Sequence, residues 1–398
     1  MKTVIKNAME LVYRRFFCPE TELFYEFVID DENNSWFHLP SVDEINNLIP
    51  NPCGWGTGME DASMNGGSAI DAFICAYEAT KNQALKAYIY AIYRGLMRCV
   101  TDKGFVARSI SPFDGKSHYA ESSRDQYTHW IYGILRFYDS ELCDNIQKDR
   151  IREALVNIAD KCVRDVTEQN DYQMLRDDGK VGLVNKMWGN IGTHEWSRLP
   201  MFYLAAFHVT KDTCWQEMYL RYRDEAIENS IPHKPHTMSC YTTLQMQCAL
   251  RVMYNYDESV REKIKPIMEK NALYGKEKAI NNSIEYRKAE HQNEINYRFR
   301  QWNKVEDPFI TGGIYEGLGY FNPAQSDRKD NPAFYPVREV AEGAIMAAIC
   351  PDFEITEELT SCVIKMAEAI DFKKHSSIYA PLLLSCAYFL CEYGLEEL

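Results

Sequence analysis

Four polar segments of the chain place residues that could do chemistry beside aromatic residues. Each holds a carboxylic acid and a tryptophan or tyrosine, and three hold glycines that let a backbone approach a ligand closely. Paired carboxylic acids can cleave a glycosidic bond, because one protonates the leaving oxygen while the other activates water or attacks the sugar. The segments are 54–67 (GWGTGMEDASMNGG), 119–130 (YAESSRDQYTHW), 188–198 (WGNIGTHEWSR) and 311–321 (TGGIYEGLGYF).

The acids of these segments are the candidate catalytic groups. A helix N-terminus favours the ionised form of a nearby acid, so Asp125, in the first turn of a predicted helix, tends towards the role of base. Ordinary structure is the alternative: a glycine-rich turn with an acidic helix cap at 54–67, and a capped helix whose Arg124 pairs with a neighbouring acid at 119–130. The candidate acids are Glu60, Asp61, Asp125, Glu195 and Glu316.

Aromatic residues make up 13% of the chain, and many of them lie in polar segments instead of apolar ones. Flat aromatic faces suit the apolar C–H faces of sugars, while the polar groups beside them suit the hydroxyls. Packing within loops is the alternative explanation for these residues. The aromatic residues expected to line a sugar site are Trp55, Tyr127, Trp188, Trp196 and Tyr315.

Composition and motifs argue against several other functions. The chain has 44 basic and 58 acidic residues, and the resulting charge of −14 disfavours binding to nucleic acid or to an anionic membrane. The sequence has no GxSxG, GxxxxGK[ST] or EF-hand motif. His233 and His236 have the spacing HxxH but no acid or cysteine beside them, so a metal site is disfavoured. We therefore expect no cofactor.

The cysteines and apolar stretches bear on the compartment. Thirteen cysteines occur without a CxxC pair, which favours buried free thiols in a reducing compartment. The N-terminal segment lacks an unbroken apolar region, and the longest apolar stretch, 378–391, is too short to span a bilayer. We expect a soluble cytoplasmic protein, or a periplasmic one if a signal peptide has been removed.

Helical periodicity dominates the chain and predicts twelve helices. Short strands are predicted near 103–110, 171–185 and 284–302. The predicted helices lie near 3–17, 68–81, 84–101, 122–138, 146–168, 197–210, 213–228, 238–254, 257–273, 334–350, 355–371 and 378–393.

The links between these helices alternate between short and long, which predicts six antiparallel helical hairpins. The turns YEATKN and FHVTKD end in Asn82 and Asp212, which can cap the next helix. Closing six hairpins into a ring would turn one helix of each towards a common centre and gather the long loops on one rim. We expect one domain, 1–398, with a tandem pair of smaller helical domains as the alternative.

The helix pattern, GWGTGMEDASMNGG before the second helix and YAESSRDQYTHW at the fourth together resemble the six-hairpin glycosidase superfamily. The resemblance covers nearly the whole chain and implies an all-α (α/α)6 barrel. Bacterial glycoside hydrolases of this fold are the nearest members, and unsaturated glucuronyl hydrolases are more distant ones.

The resemblance also implies roles for particular residues. Glucuronyl hydrolases of this fold use two aspartates on the rim of the inner helices, and Asp61 and Asp125 match them in place, with Glu60 beside them. Arg124, Arg198 and Lys186 could bind the carboxylate of a uronic acid. The remaining residues expected to bind substrate are His129, His194, Glu195, His236 and Glu316.

The sequence thus predicts a glycoside hydrolase that acts on an oligosaccharide, as a monomer or homodimer. Two alternatives stay open. One is a lyase or sugar epimerase in which Tyr119, His129, His194 or His236 abstracts a proton. The other is a protein that binds carbohydrate without catalysis, which requires the rim acids to lie more than about 10 Å apart, outside the reach of two-carboxylate mechanisms.

Overall fold

A computed structural model describes residues 1–26, 39–49, 51–55, 57–182, 184–288, 334–372 and 377–394, without the side chains of 284–288 and 334–335. These residues form thirteen α-helices and one antiparallel sheet of two strands, so the all-α prediction is confirmed. The elements are α1 Thr3–Arg15, β1 Phe17–Cys18, β2 Leu23–Phe24, α2 Val42–Asn46, α3 Ala62–Thr80, α4 Gln83–Arg98, α5 Arg124–Asp139, α6 Asn145–Asp165, α7 Arg198–Thr210, α8 Thr213–Ser230, α9 Cys240–Tyr256, α10 Arg261–Lys288, α11 Phe334–Ala348, α12 Glu357–Ala369 and α13 Tyr379–Tyr393.

All twelve predicted helices are present, and the short helix α2 is additional. Helix α3 begins at Ala62, six residues before the predicted start, and it therefore includes Gly66 and Gly67. Glycine disfavours helices, so the sequence pattern assigns this pair to a loop. Packing outweighs that preference, because a Cβ atom on Gly67 would lie 2.1 Å from the carbonyl oxygen of His129 on α5.

The predicted strands do not form as strands in the described residues. Two of them contain only isolated bridges, Val100 with Val106 and Gln173 with Lys186. Of the third, 284–288 belong to helix α10, and 289–302 lie outside the described residues. The sheet that does form pairs Phe17 with Phe24, and its two-residue strands are too short to give an alternating pattern in the sequence.

The two TK-containing turns have the same geometry. Lys81 and Lys211 both adopt the left-handed conformation, with φ of 52° and 60°, and end α3 and α7. The side chain of Asn82 then accepts a hydrogen bond from Ala84, and that of Asp212 accepts one from Cys214, each at 3.0 Å. The predicted caps are therefore confirmed, and each turn reverses the chain within two residues.

Six helices form a series of contacts that returns to its first member. In chain order each packs against the next, and the last packs against the first. Each also packs against a partner helix joined to it by a short link, except α13, whose partner is α1. The series is α3, α5, α7, α9, α11 and α13, with partners α4, α6, α8, α10, α12 and α1.

Burial differs between the two sets of helices. In α13 every residue from Tyr379 to Cys391 is buried, as expected of a helix that is apolar on all sides. Helix α4, the partner of α3, instead buries a single stripe that includes Leu85, Ile89, Ile92 and Leu96. The helices of the series are more deeply buried than their partners throughout, so we call the six of the series inner helices and their partners outer helices. None of the described helices is both long and apolar enough to cross a membrane.

Candidate functional site

Six side chains from the starts of the six inner helices meet in one polar group, which we call the central cluster. Each contacts at least one other member by a hydrogen bond, an ion pair or the face of a ring. The starts of these six helices therefore meet at one place in the described residues. The cluster consists of Asp61 before α3, Asp125 in α5, Arg198 in α7, Tyr241 in α9, Arg338 in α11 and Tyr379 in α13.

Asp61 is held by three donors. Its Oδ1 atom accepts a hydrogen bond from the side-chain amide of Gln126 at 2.6 Å and lies 3.3 Å from a guanidinium nitrogen of Arg108. Its Oδ2 atom accepts a hydrogen bond from the Tyr379 hydroxyl at 2.6 Å. The side chain is 15% exposed, so part of the carboxylate remains open to a ligand.

Asp125 is held by a charged donor and a neutral one. Its Oδ1 atom lies 2.8 Å from a nitrogen of Arg198, and its Oδ2 atom accepts a hydrogen bond from the Tyr241 hydroxyl. Burial alone would raise the pKa of Asp125, but Arg198 and Tyr241 outweigh it and hold that pKa well below the ordinary value. Asp125 is therefore an ionised carboxylate, and its side chain is 21% exposed.

Arg338 links the two aspartates through their tyrosines. Its guanidinium carbon lies 4.5 Å from the ring centre of Tyr241 and 4.2 Å from that of Tyr379, which is the geometry of a cation–π contact. Those two tyrosines donate to Asp125 and Asp61 respectively. One cation thus orients the donor of each carboxylate.

Both aspartates also raise the pKa values of the same two neighbours, Tyr241 and Arg108. Burial, Asp125 and Asp61 together raise the pKa of Tyr241 well above its ordinary value. Burial opposes the charge of Arg108, but Cys53, Asp61 and Asp125 raise its pKa above the ordinary value. The two carboxylates therefore lie near enough to share an electrostatic environment.

The buried carboxylic acid Glu342 lies one turn beyond Arg338 on α11. Its Oε1 atom accepts two hydrogen bonds from Arg338, at 2.7 and 3.0 Å, whereas its buried Oε2 atom accepts none among the described residues. Burial raises the pKa of Glu342 to about 7, even though Arg338 opposes the shift. Glu342 is thus an acid near the cluster that can hold a proton at neutral pH.

His129 lies one turn after Asp125 on α5 and is almost fully buried. Its Nδ1 atom is 3.0 Å from the hydroxyl of Ser68 on α3. Burial, opposed by Asp125 and assisted by Arg198 and Arg338, lowers the pKa of His129 to about 4. Its imidazole is therefore neutral at physiological pH.

A second charged group flanks the cluster. Arg124 forms an ion pair with Glu195 and donates a hydrogen bond to the carbonyl oxygen of Lys186 at 2.7 Å. His194 lies 3.6 Å from Glu195, and burial, Arg198 and Arg124 lower its pKa to about 4. The pairing of Arg124 with an acid is the ordinary alternative that the sequence offered for this helix start.

The predicted aromatic residues divide into two groups. Trp55 lies at the site, with the guanidinium of Arg108 5.3 Å from its ring centre. Trp188 instead packs edge-on against Trp196 and against Tyr222 of the outer helix α8, at 4.6 and 4.8 Å. These two tryptophans pack the segment before α7 against α8, and this packing accounts for them without a ligand.

Tyr127 does not fit the predicted role in substrate binding. Its side chain is fully buried, its hydroxyl accepts a hydrogen bond from the backbone of Val106, and its ring packs near Phe202. On helix α5 it points away from Asp125 into the core between helices. We therefore leave it out of the candidate site.

Other predicted residues have different surroundings. Glu60 is buried next to Asp61, and its backbone carbonyl accepts hydrogen bonds from Arg108 and Gln126. His236 is exposed on the surface, while His233 is buried and lies 3.1 Å from the hydroxyl of Thr193. Tyr315 and Glu316 lie outside the described residues.

The sequence reasoning missed several members of the site. Arg108 comes from a segment predicted as a strand, and Tyr379 begins a helix that reads as wholly apolar. Arg338 and Glu342 carried a usable signal, because an Arg and a Glu four residues apart at the start of a buried helix must pair. Gln126 stood beside Asp125 in a segment that had already been selected.

The side chains of the site are carboxylic acids, guanidinium groups, amides and phenols. Among the described residues, no group of His, Cys, Asp and Glu has an arrangement that could hold a metal ion. The cluster can orient two carboxylates against a ligand, and it keeps one of them ionised.

A scan against models of known protein families and a search of curated proteins both found nothing that matches the chain.

Proposed function

We propose that the protein is a glycoside hydrolase that acts on an oligosaccharide, with Asp61 and Asp125 as its pair of carboxylic acids. The observation that supports this most directly is the placement of both acids, partly exposed, in one network at the starts of adjacent helices. Cleavage of a glycosidic bond needs two carboxylic acids on either side of the scissile bond.

We further propose that the described helices form an (α/α)6 barrel. In support, the six inner helices make a closed series of contacts, and their starts meet at one end. In such a barrel the central cluster would occupy the mouth, where loops can shape a binding site.

The contacts of the two acids suggest different roles. Asp125 is ionised and close to Arg198, so it acts as the base or nucleophile. Asp61 lies farther from its guanidinium, at 3.3 Å, and its other two donors are neutral. Because the mechanism also needs a proton donor, we assign that role to Asp61 as the other acid of the pair.

The substrate is proposed only as an oligosaccharide. Arg124 and Arg198, which the sequence offered as partners of a uronic acid, are paired with Glu195 and Asp125. Lys186 lies 2.7 Å from Asp171. Because these cations already have acidic partners, they give no support for a uronate. Trp55, beside Arg108, is the aromatic residue that we propose stacks on a sugar ring.

The test is a screen of the purified protein against saturated and unsaturated oligosaccharides, with product masses as the readout. We expect cleavage with gain of one water. Asp125→Asn and Asp61→Asn should each lower the rate by about 10²- to 10⁴-fold. The melting temperature of each variant is measured beside its rate, because each change removes the acidic partner of a buried guanidinium. Asp165→Asn, at a buried aspartate paired with Lys161 on the outer helix α6, is the control and should keep its rate. Near-normal turnover in both site variants would contradict the assignment.

A lyase or epimerase is the second candidate, and neutral His129 beside Asp125 is the observation that favours it. A neutral imidazole is the form that abstracts a proton. Its proton-accepting nitrogen would have to reach a carbon next to a carboxylate or carbonyl. Product formed without uptake of water would favour the lyase, and solvent deuterium entering the sugar carbon would favour the epimerase.

A further inference from the structure

A cavity of about 660 Å³ lies at the end of the inner helices opposite the central cluster. The last turns of α5, α9 and α11 line it. Asp125 lies in the first turn of α5 and Asp139 ends that helix, so a rise of about 1.5 Å per residue separates the two places by roughly 20 Å. This cavity is therefore distinct from the candidate active site.

The acids that line the cavity already have partners. Asp71 lies 3.2 Å from Arg136 and accepts a hydrogen bond from Tyr132 at 2.7 Å. Asp139 lies 3.0 Å from His208, and Asp352 is paired with Lys265. Each of these three acids therefore already has a hydrogen-bonding or ion-pairing partner within the protein.

Two arginines of the lining, by contrast, have no buried acidic partner among the described residues. Arg251 is half-buried, and within the described residues it has no ion pair; one nitrogen donates to the carbonyl oxygen of Ile349 at 3.4 Å. Arg261 donates to the carbonyl oxygen of Tyr254 at 2.9 Å, and its acid partner, Glu258, is 3.5 Å away and 84% exposed. An ion pair that is so exposed to water contributes little to stability.

The ordinary function of such arginines is to satisfy the last carbonyl groups of a helix. That function uses one of the five N–H donors of each guanidinium. The other donors of Arg251 remain available beside an open cavity. A guanidinium presents these donors in a planar fork that matches the two oxygens of a carboxylate or phosphate.

We propose that this cavity binds a small organic anion, whose carboxylate or phosphate group is held by Arg251 and Arg261. The volume is within the range of small-molecule sites and leaves room for an organic body beyond the anionic group. Tyr132, Tyr254 and Asn255 provide the flat and polar surfaces that would contact this body.

Isothermal titration of the full chain with four probes tests the proposal. The probes are glucose 6-phosphate, gluconate, inorganic phosphate and uncharged glucose. We expect saturable binding of at least one organic anion and none of glucose. The stronger of the two organic probes identifies phosphate or carboxylate as the preferred group, and the inorganic probe shows what the organic body adds.

Three variants locate the binding. Arg251→Gln should weaken binding at least tenfold, and Arg251→Lys, which keeps the charge without the fork, should weaken it less. Arg261→Gln is an independent test of the same cavity. Arg150→Gln removes the same charge from an exposed position on α6 outside the lining and should bind as the unaltered chain does.

Two results would overturn the proposal. One is the absence of saturable binding of any anionic probe at millimolar concentration. The other is binding that Arg251→Gln and Arg261→Gln leave unchanged while both variants keep the melting temperature of the unaltered chain. Neither result bears on cleavage of a glycosidic bond at the central cluster.

Discussion

At the scale of single residues, the two aspartates differ in how closely a guanidinium group approaches them. Asp125 combines burial with a guanidinium at 2.8 Å, whereas the guanidinium beside Asp61 is 3.3 Å away. Removing one partner from a buried ion pair leaves an uncompensated charge, and the remaining group then changes its protonation. The charge of Asp125 therefore depends on Arg198 in particular.

We expect Arg198→Gln to raise the pKa of Asp125 by about 1–3 units, because burial then acts without the opposing guanidinium. A hydrolase that needs this carboxylate ionised would lose kcat/KM at acidic pH, so the acidic limb of the pH profile would move upward. Arg198→Lys, which keeps a positive charge, should return the acidic limb of the pH profile to its original, lower pH. An acidic limb in Arg198→Gln that coincides with that of the unaltered chain would contradict the proposed assignment of Asp125 as base.

His129 makes the stability of the fold depend on pH. Its pKa is about 4 in the folded chain, whereas an unfolded histidine titrates near 6.5, so the unfolded chain binds a proton first as the pH falls. Its stabilising contribution is therefore present above pH 6.5 and is lost as the pH falls towards 4. Between pH 7 and pH 5 this residue should account for about 2 kcal/mol of lost stability.

Urea unfolding at the two pH values measures this loss. Between pH 7 and pH 5, the free energy of unfolding of His129→Gln should fall by about 2 kcal/mol less than that of the unaltered chain. His236→Gln, at the exposed histidine, is the matched control and should behave as the unaltered chain does. The same loss in the His129 variant as in the unaltered chain would show that His129 is charged when folded.

At the scale of helices, glycines fix how closely the inner elements approach. Gly67 of α3 faces the backbone of α5, and a Cβ atom on Gly133 would lie 2.4 Å from the carbonyl oxygen of Gly67. Gly275 of α10 and Gly343 of α11 make a similar contact, at 2.5 Å in each direction. Because α3 and α5 meet through their backbones, Asp61 and Asp125 at their starts are brought together.

Gly67→Ala tests this contact. Alanine favours a helix over glycine by about 1 kcal/mol, but the new methyl group must displace the backbone of α5. We expect the free energy of unfolding to fall by about 3 kcal/mol. Gly115→Ala is the contrasting variant. Its φ is 70°, and no atom lies within 4 Å of the position of the new methyl group, so the change should cost only about 1 kcal/mol of backbone strain. Equal effects of the two changes in chemical unfolding would contradict a close helix crossing.

How well the sequence predicted a feature depends on how far apart along the chain its interacting residues lie. The caps Asn82 and Asp212 depend on neighbours two residues away, and they were predicted correctly. The start of α3 depends on packing against α5, so the local preference of glycine gave the wrong boundary. Asp61 and Asp125 were selected from local composition, whereas their partners Tyr379 and Tyr241 lie 318 and 116 residues away along the chain.

At the scale of the whole molecule, the fold buries nearly all of the cysteine thiols. Twelve of the thirteen cysteines are buried, as the sequence predicted, and Cys214 on α8 is exposed. Burial also raises thiol pKa values, for example that of Cys99 to about 12. Both effects suppress reaction, since the thiolate is the reactive form.

We therefore expect a thiol reagent such as iodoacetamide to add one label to the folded chain, at Cys214, and thirteen after unfolding. Mass spectrometry counts the labels, and Cys214→Ser should remove the single native one. Rapid labelling of several cysteines in the folded chain would mean that the inner helices do not shield them.

Helix α11 has an unusual position in this molecule. It carries Arg338, which touches the tyrosines of both aspartates, it rests on α10 through Gly343, and Ala348 at its end lines the distant cavity. A small displacement of α11 would shift the tyrosine donors of both aspartates at once, although every side chain of the central cluster would still be present. In the proposed hydrolase, variants that abolish activity without altering any acid should therefore concentrate along α11 and at the contact of Gly343 with Gly275.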